Sequence, residues 1–556
     1  MAVNAGVSMT TAAQQLGQKQ ILVIDDMVES RSAIKRMLVQ LGGEKIDTAT
    51  DGDDAMAKIQ AKDYDLVISD YNLGKGKDGQ QILEEARYTK RLKATSIFIM
   101  VTGENASDMV MGALEYEPDA YLTKPITPQI LAQRLKRIIN TKNIMQEMLQ
   151  AIDGDRTMKA IELGNKLIER QPQFMPAIIR HIGPLYILHK EYNNAIRVYS
   201  MVLNDHYRSW ARLGQAICMH RLGDSLSALA LLKETLRRQP RYVQCYDWMA
   251  RIYLSMEDRQ KAQQLLEQAV SISPKAVLRQ RELGQLAMQN EDWEVAANAF
   301  DQAVRLGRNS CHKNIDAYLN LADCAHPLLM DDSVAHRRLG QKVQRALAEL
   351  QTDFNNKSAI QYAGLLAEAR ICHAMKQPEK SNHALNMAEL MFKEMEAAPV
   401  EDALSLTSTM IQCGQHVKAN DLLRTIDGMQ LTPAQRQRME EQMSLLDEAE
   451  IRQNSDRINA EGIGFYERGE LESARQSFDM ACAYPEAGIS VILNAIQVRV
   501  SMIKQPGCSS EQRQQLLREC RPLFKRIGML GENDDRYQRL ETLKANFTRL
   551  LQEPAT

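Results

Sequence analysis

The chain has 556 residues, with 69 lysines and arginines against 71 aspartates and glutamates, and a formal net charge of −2. A chain of this length is expected to form several domains. The balanced charge, with no basic stripe, argues against nucleic acid or an anionic membrane as a partner. No apolar run approaches the roughly 18–20 residues that span a bilayer, so no membrane span is expected.

The cysteines and the N-terminal residues indicate the compartment. Nine cysteines are scattered along the chain, and none lies in the first 200 residues. This distribution predicts reduced thiols and a cytoplasmic location. Cys311-His312 and the Cys324/His326 pair could be metal ligands, but the irregular spacing argues against a zinc site. Residues 1–18 have neither a charged start nor an apolar segment, so we expect a mobile tail rather than a signal peptide.

Between residues 19 and 140, short apolar runs alternate five times with amphipathic segments. This alternation predicts an α/β domain of the flavodoxin type with a five-stranded parallel sheet. The predicted helices include residues 30–41, 52–62, 78–90 and 105–115. The apolar runs lead into polar residues: Asp25 and Asp26 after 21–24, Asp70 after 66–69, Thr102 after 97–101, and Lys124-Pro125 after 120–123.

These polar residues are expected to lie together, because the carboxyl ends of parallel strands meet at one edge of a sheet, where ligands collect. Three carboxylates within a few ångströms of one another repel strongly unless a cation offsets them. Hard oxygen ligands with room for water suit Mg²⁺. A metal beside a carboxylate and a lysine makes a pocket for a phosphoryl group.

The ordered set Asp25-Asp26, Asp70, Thr102 and Lys124-Pro125 resembles the receiver domain of two-component response regulators. The resemblance implies that Asp70 takes a phosphoryl group from a sensor histidine kinase or a histidine phosphotransfer protein. The further roles that it implies are Mg²⁺ ligation by Asp26, Asp70 and the backbone carbonyl of Asn72, assistance from Asp25 through water, switch positions at Thr102 and Tyr121, and pairing of Lys124 with the phosphoryl oxygens.

Three details beside this set follow from the same resemblance. Asn72 and Glu104 occupy positions that tune the lifetime of the phosphoryl group in receivers, or are simply solvated loop residues. The Lys124-Pro125 peptide is expected to be cis and to point the ammonium into the site, rather than only to start a helix. Gly74 stands where receivers usually have a proline, in a loop that is one residue longer, which leaves the shape of that loop open.

An apolar stripe continues beyond the receiver over residues 131–152 and is interrupted only by Lys142. Its 4-3 spacing predicts one continuous helix over 129–152, roughly 36 Å long. This helix is expected to end at residues 153–155 and to couple the receiver mechanically to the next domain. A helix break near 140–141 is the alternative.

A 34-residue period follows. Pro240 and Pro274 are 34 residues apart, Pro172 lies two such steps before Pro240, and each proline has an alanine 12 residues before it. This period is typical of tetratricopeptide (TPR) repeats, each of which is a helix-turn-helix. An all-α helical solenoid of the TPR type is therefore expected over residues 141–308.

The rest of the chain is less regular. Residues 309–450 are interpreted as diverged repeats or a separate helical piece, and residues 451–556 as a further TPR-like unit with capping helices. The first helix of each pair lines a concave surface in such arrays, and arginines there would make a mildly basic groove for an acidic peptide or helix, or are ordinary solvated residues. These arginines are Arg180, Arg212, Arg251 and Arg281.

The sequence therefore predicts a cytoplasmic response regulator whose phosphorylation at Asp70 gates protein–protein contacts of the TPR region. The continuous helix predicted over 129–152 is expected to transmit the change. No enzyme activity is expected beyond the receiver's own Mg²⁺-dependent phosphorylation and dephosphorylation. Two alternatives remain open: a phosphate sink or phosphorelay element whose repeats only dock partners, and a constitutive scaffold whose receiver serves for docking or as a homodimer contact. Three clustered carboxylates argue against the scaffold, which does not need them.

Overall fold

The computed structural model describes residues 16–103, 118–204, 206–330, 333–395, 399–484, 487–528, 530–531 and 534–552. The packing of the chain divides it into two units after Gly364. The helix predicted over 105–115 falls outside the described residues. Among the helices within the described ranges, none is long and apolar enough to cross a membrane.

The first domain contains a five-stranded sheet in the order β2-β1-β3-β4-β5, and all neighbouring strands are parallel. The strands are Gln20–Ile24 (β1), Lys45–Ala49 (β2), Leu66–Asp70 (β3), Ile97–Thr102 (β4) and Ala120–Thr123 (β5). The apolar runs form the strands because helices cover both faces of a parallel sheet. The predicted flavodoxin-like α/β fold is confirmed.

Helices bury both faces of the sheet. The helices of this domain within the described residues are Val28–Gln40 (α1), Gly52–Ala61 (α2), Gly79–Tyr88 (α3) and Pro128–Ile144 (α4). Successive strand residues point to opposite faces. Ile21 and Val23 therefore share an apolar core with α1 and α4, whereas Leu22 and Ile24 share the other core with α2 and α3.

The apolar stripe beyond the receiver is divided between two helices. Gln146–Asp153 forms a separate helix, α5, and Met145 lies between α4 and α5 at φ −90° and ψ 6°. The continuous helix predicted over 129–152 is therefore wrong, and the break is not at 140–141 either. The stripe serves two cores, because Leu131 and Leu135 pack in the receiver, whereas Met145 packs in the core of the first repeats.

Lys142, the charged interruption of this stripe, fixes α4 to the sheet. Its Nζ donates hydrogen bonds to the carbonyls of Ala94 at 2.7 Å and Ser96 at 2.9 Å, and forms an ion pair with Asp119 at 2.9 Å. The side chain is only 13% exposed. A buried ammonium is tolerated here because oxygen atoms surround it.

Helices stacked on their neighbours follow the joint, and the predicted boundary between residues 140 and 141 lies inside α4. They are Thr157–Arg170 (α6), Met175–Leu188 (α7), Tyr192–Leu203 (α8), Ser209–Arg221 (α9), Ser225–Arg238 (α10), Val243–Ser255 (α11), Arg259–Ile272 (α12), Val277–Gln289 (α13), Trp293–Gly307 (α14), Ile315–Leu329 (α15) and Val334–Asp353 (α16). The predicted all-α array of helix pairs is confirmed.

The 34-residue period extends to the helix caps. Asp224, Asp258 and Asp292 each precede the second helix of a pair, and each side chain accepts a hydrogen bond from the backbone N–H three residues later. The residues immediately before these caps have positive φ and are Gly223, Glu257 and Glu291. The same tight turn therefore recurs, in which a left-handed residue ends one helix and an aspartate begins the next.

The second unit, from residue 365 onward, is also helical. The helices are Ser358–Ala374 (α17), which contains the division, Pro378–Glu394 (α18), Val400–Gln412 (α19), His416–Asp427 (α20), Pro433–Glu467 (α21), Leu471–Ala483 (α22), Ile489–Ile503 (α23), Ser510–Ile527 (α24) and Tyr537–Gln552 (α25). The predicted boundary at residue 450 lies inside α21, which is 35 residues long. Within α21, the only proline is its first residue, and the first glycine is Gly462. The sequence therefore contains no helix breaker near residue 450.

Candidate phosphoacceptor site

The register of the sheet brings the predicted site residues to one edge. The residues paired at the strand ends are Ile24 with Ser69, Asp70 with Val101, and Thr102 with Thr123. The strands therefore end almost level, and the residues that follow them lie side by side. Carboxylate oxygens of Asp25, Asp26 and Asp70 lie within 4.8 Å of one another.

Asp25 is held rigidly by the start of α1. Its side chain is fully buried and accepts hydrogen bonds from the backbone N–H of Met27 at 2.9 Å and from the Ser30 hydroxyl at 2.5 Å. Arg31 donates to the Asp25 carbonyl at 2.6 Å. Ser30 and Arg31 were not among the residues predicted from the sequence, although both lie in the first turn of the helix after the acidic pair, where such contacts to the preceding loop are common.

Asp70 and Lys124 form the centre of the site. Lys124 Nζ lies 2.7 Å from Asp70 Oδ2 and 3.0 Å from Asp25 Oδ2. The Lys124-Pro125 peptide is cis, as predicted. Burial raises the pKa of the Asp70 carboxyl, and the Lys124 ammonium opposes this rise. Burial acts against the ammonium too, but its hydrogen bonds to Asp70 and Asp25 raise the pKa of Lys124 above its usual value, so it stays charged.

The donor set fits a magnesium ion. Three carboxylates converge, and the single positive charge of Lys124 offsets only part of their repulsion, which leaves a net attraction for a second cation. Asp26 is exposed, so water has access to this side of the site. Carboxylates with room for water are the oxygen ligands that Mg²⁺ takes in proteins, and the backbone carbonyl of Asn72 is on the loop directly after Asp70.

The loop between β3 and α3 depends on two glycines. Gly74 has φ +73°, which a proline cannot adopt, so the departure at this position reflects a different loop path. Its N–H donates to the Asn72 side chain at 3.3 Å. A side chain at Gly79 would place its Cβ 2.2 Å from the Asp70 carbonyl oxygen. The start of α3 therefore approaches the end of β3 closely, a contact that only glycine permits.

The predicted switch residues lie on the two neighbouring strands β4 and β5. Thr102, at the end of β4, is 2% exposed, and its hydroxyl has no hydrogen-bond partner within the part of the chain that the structure describes. Tyr121 is half-buried and packs against the apolar core that includes α2 and α3. Glu104, predicted to tune the phosphoryl lifetime, lies outside the described residues.

Replacing Thr102 with valine is expected to weaken the binding of a phosphoryl analogue without unfolding the protein. Valine keeps the shape and removes a buried hydroxyl that has no described partner, so the melting temperature should stay equal or rise. The affinity for beryllofluoride with Mg²⁺ should fall about tenfold, since one hydrogen bond to a charged group is lost. Calorimetry measures this affinity. Thr102→Ser, the control, should stay close to wild type, and equal affinities for all three proteins would contradict the assignment.

The four predicted groove arginines all lie on the first helices of repeats, α7, α9, α11 and α13, but most have intramolecular contacts. Arg180 lies over the Trp210 ring at 5.8 Å, and Arg212 donates to Gln215 at 3.2 Å. Arg251 lies over the Trp248 ring at 5.3 Å and pairs with Glu282 at 3.0 Å. Arg281 is partly exposed on α13. The acidic-peptide groove stays a prediction.

A doubly wound parallel sheet with an aspartate cluster, a lysine and a buried threonine at its carboxyl edge defines a phosphoacceptor receiver domain. The chain belongs to the response regulator receiver domain family, whose model matches residues 21–136. The tetratricopeptide repeat family matches residues 243–275. The chain is a receiver domain joined to TPR repeats.

Two curated chemotaxis proteins match the receiver part of the chain. The chain is 31% identical over 124 residues to the chemotaxis protein CheY of Pseudomonas aeruginosa, an alignment that covers 22% of this chain and 98% of that protein. It is 33% identical over 125 residues to the chemotaxis protein CheY1 of Helicobacter pylori, which covers 22% of this chain and 99% of that protein.

Solved structures match each part separately. A CheY-like receiver domain protein from Methanospirillum hungatei is 26% identical, with a TM-score of 0.21, and covers 22% of this chain and 96% of that chain. The C-terminal part of a TPR repeat-containing protein from Cytophaga hutchinsonii is 14% identical, with a TM-score of 0.34, and covers 46% of this chain and 97% of that chain.

Proposed function

We propose that this protein is a phospho-accepting response regulator of a two-component pathway, in which phosphorylation of Asp70 gates protein–protein contacts of its TPR region. The observation that supports this proposal most is the placement of Asp70. Its carboxylate accepts a hydrogen bond from Lys124 and lies at the carboxyl edge of the sheet with two further carboxylates. The neighbouring strand ends at Thr102, whose buried hydroxyl has no partner among the described residues.

The chemistry would proceed on the Asp70 carboxylate. One of its oxygens forms the bond to phosphorus while the bond from phosphorus to the donor's histidine nitrogen breaks, and the imidazole leaves with the electron pair. A bound Mg²⁺, held by Asp26, Asp70 and the Asn72 carbonyl with Asp25 assisting through water, would supply positive charge next to the phosphoryl oxygens. Lys124 would pair with one of these oxygens, and the Thr102 hydroxyl would donate a hydrogen bond to another.

The partners follow from this chemistry. The phosphoryl donor would be a sensor histidine kinase or a histidine phosphotransfer protein, and the output would be a protein bound by the TPR helices. No reaction on a separate substrate is proposed beyond the receiver's own phosphorylation and dephosphorylation. A cytoplasmic location is supported by the nine cysteines, all in described parts of the chain, none of which forms a disulfide there.

The gating needs a differential binding free energy. Moving a two-state equilibrium from mostly off to mostly on takes about 5 kcal/mol of preference for one state. New contacts of the phosphoryl group with Lys124, Thr102 and the metal could supply this preference, since hydrogen bonds to charged groups contribute about 1.5–3 kcal/mol each. The repeats would then present a different surface in the phosphorylated protein.

A pull-down with immobilised full-length protein tests the proposal. Wild-type protein is compared with and without beryllofluoride and Mg²⁺, and Asp70→Asn protein treated in the same way is the control. We expect at least one protein whose retention changes about fivefold or more in the wild type and is constant in the variant. Identical sets of retained proteins under all conditions would contradict gating.

A further inference from the structure

The segment that connects Asp70 to α3 touches the repeat array. The loop of residues 71–78 follows Asp70 directly, and its two ends are joined by the bond from the Gly79 N–H to the Tyr71 carbonyl at 2.9 Å. Next to this loop and α3 lie the end of α14 and the turn that follows it, residues 306–314. The two segments are more than 220 residues apart in sequence, as in the pairing of Gln81 with Leu306, and both belong to the first unit.

One face of α3 contacts this turn. Gln81 Nε2 lies 3.5 Å from the Leu306 carbonyl. Glu84 Oε1 lies 3.0 Å from His312 Nε2. The Tyr88 ring meets the His312 ring edge-on, with the centroids 5.3 Å apart. The three receiver residues are spaced by three and four positions, so they form a continuous stripe along α3.

The loop next to Asp70 makes two more contacts with the repeats. Asn309 Nδ2 donates to the Gly76 carbonyl at 3.1 Å. Lys275, at the end of the preceding repeat, lies 5.2 Å from the centre of the Tyr71 ring and 3.4 Å from its hydroxyl. Tyr71 is the residue directly after the phosphoacceptor, so the repeats hold the loop at its first residue and again near its glycine-rich middle.

The Glu84–His312 pair is the strongest element of this interface. Hydrogen bonds to Cys311 and Glu84 raise the pKa of His312 to about 10, and burial opposes this rise. A protonated imidazole at this position is paired with the Glu84 carboxylate, whose Oε1 lies 3.0 Å from Nε2. The two side chains are only 15% and 8% exposed, so the loss of either partner leaves the other charge buried.

These contacts define a clamp, which consists of Tyr71, Gly76, Gln81, Glu84 and Tyr88 on the receiver side and Lys275, Leu306, Asn309 and His312 on the repeat side. A phosphoryl group on Asp70 adds charge and volume immediately before the loop that the clamp holds. The Asn72 carbonyl, assigned above to the metal, lies within the same loop. An adjustment of this loop that shifts Tyr71 or Gly76 therefore works against their contacts with Lys275 and Asn309.

We propose that the clamp favours the unmodified receiver, so that the TPR array itself opposes phosphorylation of Asp70 and is released by it. This inference rests on the proposed function and names its regulation. The clamp lies on the α3 side of the sheet. It is therefore a second connection between the receiver and the repeats, besides the consecutive helices α4 and α5. The two effects are thermodynamically linked. If the phosphoryl group weakens the clamp by some factor, the clamp weakens binding of a phosphoryl analogue by the same factor.

The affinity of the full-length protein for beryllofluoride, measured by calorimetry at saturating Mg²⁺, tests the clamp. His312→Gln removes the ion pair from outside the receiver, and Asn309→Ala removes the hydrogen bond to the loop. We expect each variant to bind beryllofluoride more tightly, His312→Gln by about fivefold or more. Glu84→Gln should act in the same direction, and the double variant with His312→Gln should add little, because both remove one contact.

A variant of the same turn is the matched control. Arg308 pairs with Glu349 within the repeats at 2.8 Å, so Arg308→Gln should bind beryllofluoride like wild type. The two milder variants, Asn309→Ala and Arg308→Gln, keep the test valid if loss of the ion pair disturbs folding. Unchanged or weaker binding by both His312→Gln and Asn309→Ala would overturn the clamp. Failure of wild-type protein to bind beryllofluoride at all would instead overturn the proposed function.

Discussion

Asp70→Asn is expected to abolish uptake of a phosphoryl group from radiolabelled acetyl phosphate, with a loss of at least about a hundredfold, because an amide oxygen is a poor nucleophile compared with a carboxylate. Asp53→Asn is the control, since Asp53 is an exposed carboxylate of the same domain that pairs with Lys77 at 3.0 Å. This variant should be labelled like wild type. Equal labelling of the Asp70→Asn protein would show that another residue is the acceptor.

The same substitution should leave the fold intact. Burial raises the pKa of Asp70, which means that its charged form is disfavoured in the folded protein. A neutral amide avoids this cost at pH values above that pKa, and Lys124 keeps its bond to Asp25 at 3.0 Å. The melting temperature of Asp70→Asn should therefore equal or exceed that of wild type, so that a loss of labelling cannot be attributed to unfolding.

Arg279→Met is expected to give the largest loss of stability in the first unit. Arg279 forms a bidentate ion pair with Asp247, with Nε 2.7 Å from Oδ1 and Nη2 2.8 Å from Oδ2, and so links α13 to α11. The two side chains are 7% and 15% exposed. Removal of the guanidinium leaves Asp247 largely buried without its main partner, which should cost about 3 kcal/mol of unfolding free energy.

Arg251→Met is the matched comparison, because Arg251 also links α11 to α13, through Glu282 at 3.0 Å, but with side chains 48% and 42% exposed. Its loss should cost less than about 1 kcal/mol. A chain of several domains need not unfold in one step, so amide hydrogen exchange of α11 and α13 is the suitable measurement. Equal protection factors in the two variants would show that burial does not decide the strength of these pairs.

The receiver site could be predicted from the sequence because local signals determine it. Each polar site residue follows an apolar run directly, and parallel strands that end level place such residues together without further information. The carboxylates Asp25 and Asp70 and the lysine Lys124 were found in this way. The path of the loop at Gly74 was left open, since it depends on a positive φ that the sequence alone does not reveal.

The joint and the clamp could not be predicted in the same way. Apolar periodicity predicted one helix across Met145, but it does not reveal that the two halves of the stripe pack into different cores. The pairing of Glu84 with His312 joins residues far apart in sequence, and its geometry depends on the curvature of the whole repeat array. The sequence drew attention to Cys311 and His312 only as metal ligands with irregular spacing; the structure brings both next to Glu84 of the receiver, with ligand atoms within 4.8 Å of one another.

The buried arginine illustrates the same limit. Four arginines on first helices were singled out as a binding groove, yet Arg279, two positions before Arg281, makes the strong contact between repeats. A shift of one or two positions on a helix turns a side chain from the exposed face to the neighbouring helix. Sequence spacing places arginines on these helices but does not show which of them is buried.

The central claim is that phosphorylation of Asp70 changes the conformation or stability of the TPR helices. Amide hydrogen exchange of the full-length protein, with and without beryllofluoride and Mg²⁺, measures this most directly. The account predicts altered exchange in the repeats, with faster exchange around residues 305–314, in wild-type protein and no change in Asp70→Asn. Changes confined to residues 19–140 of the wild-type protein would contradict it.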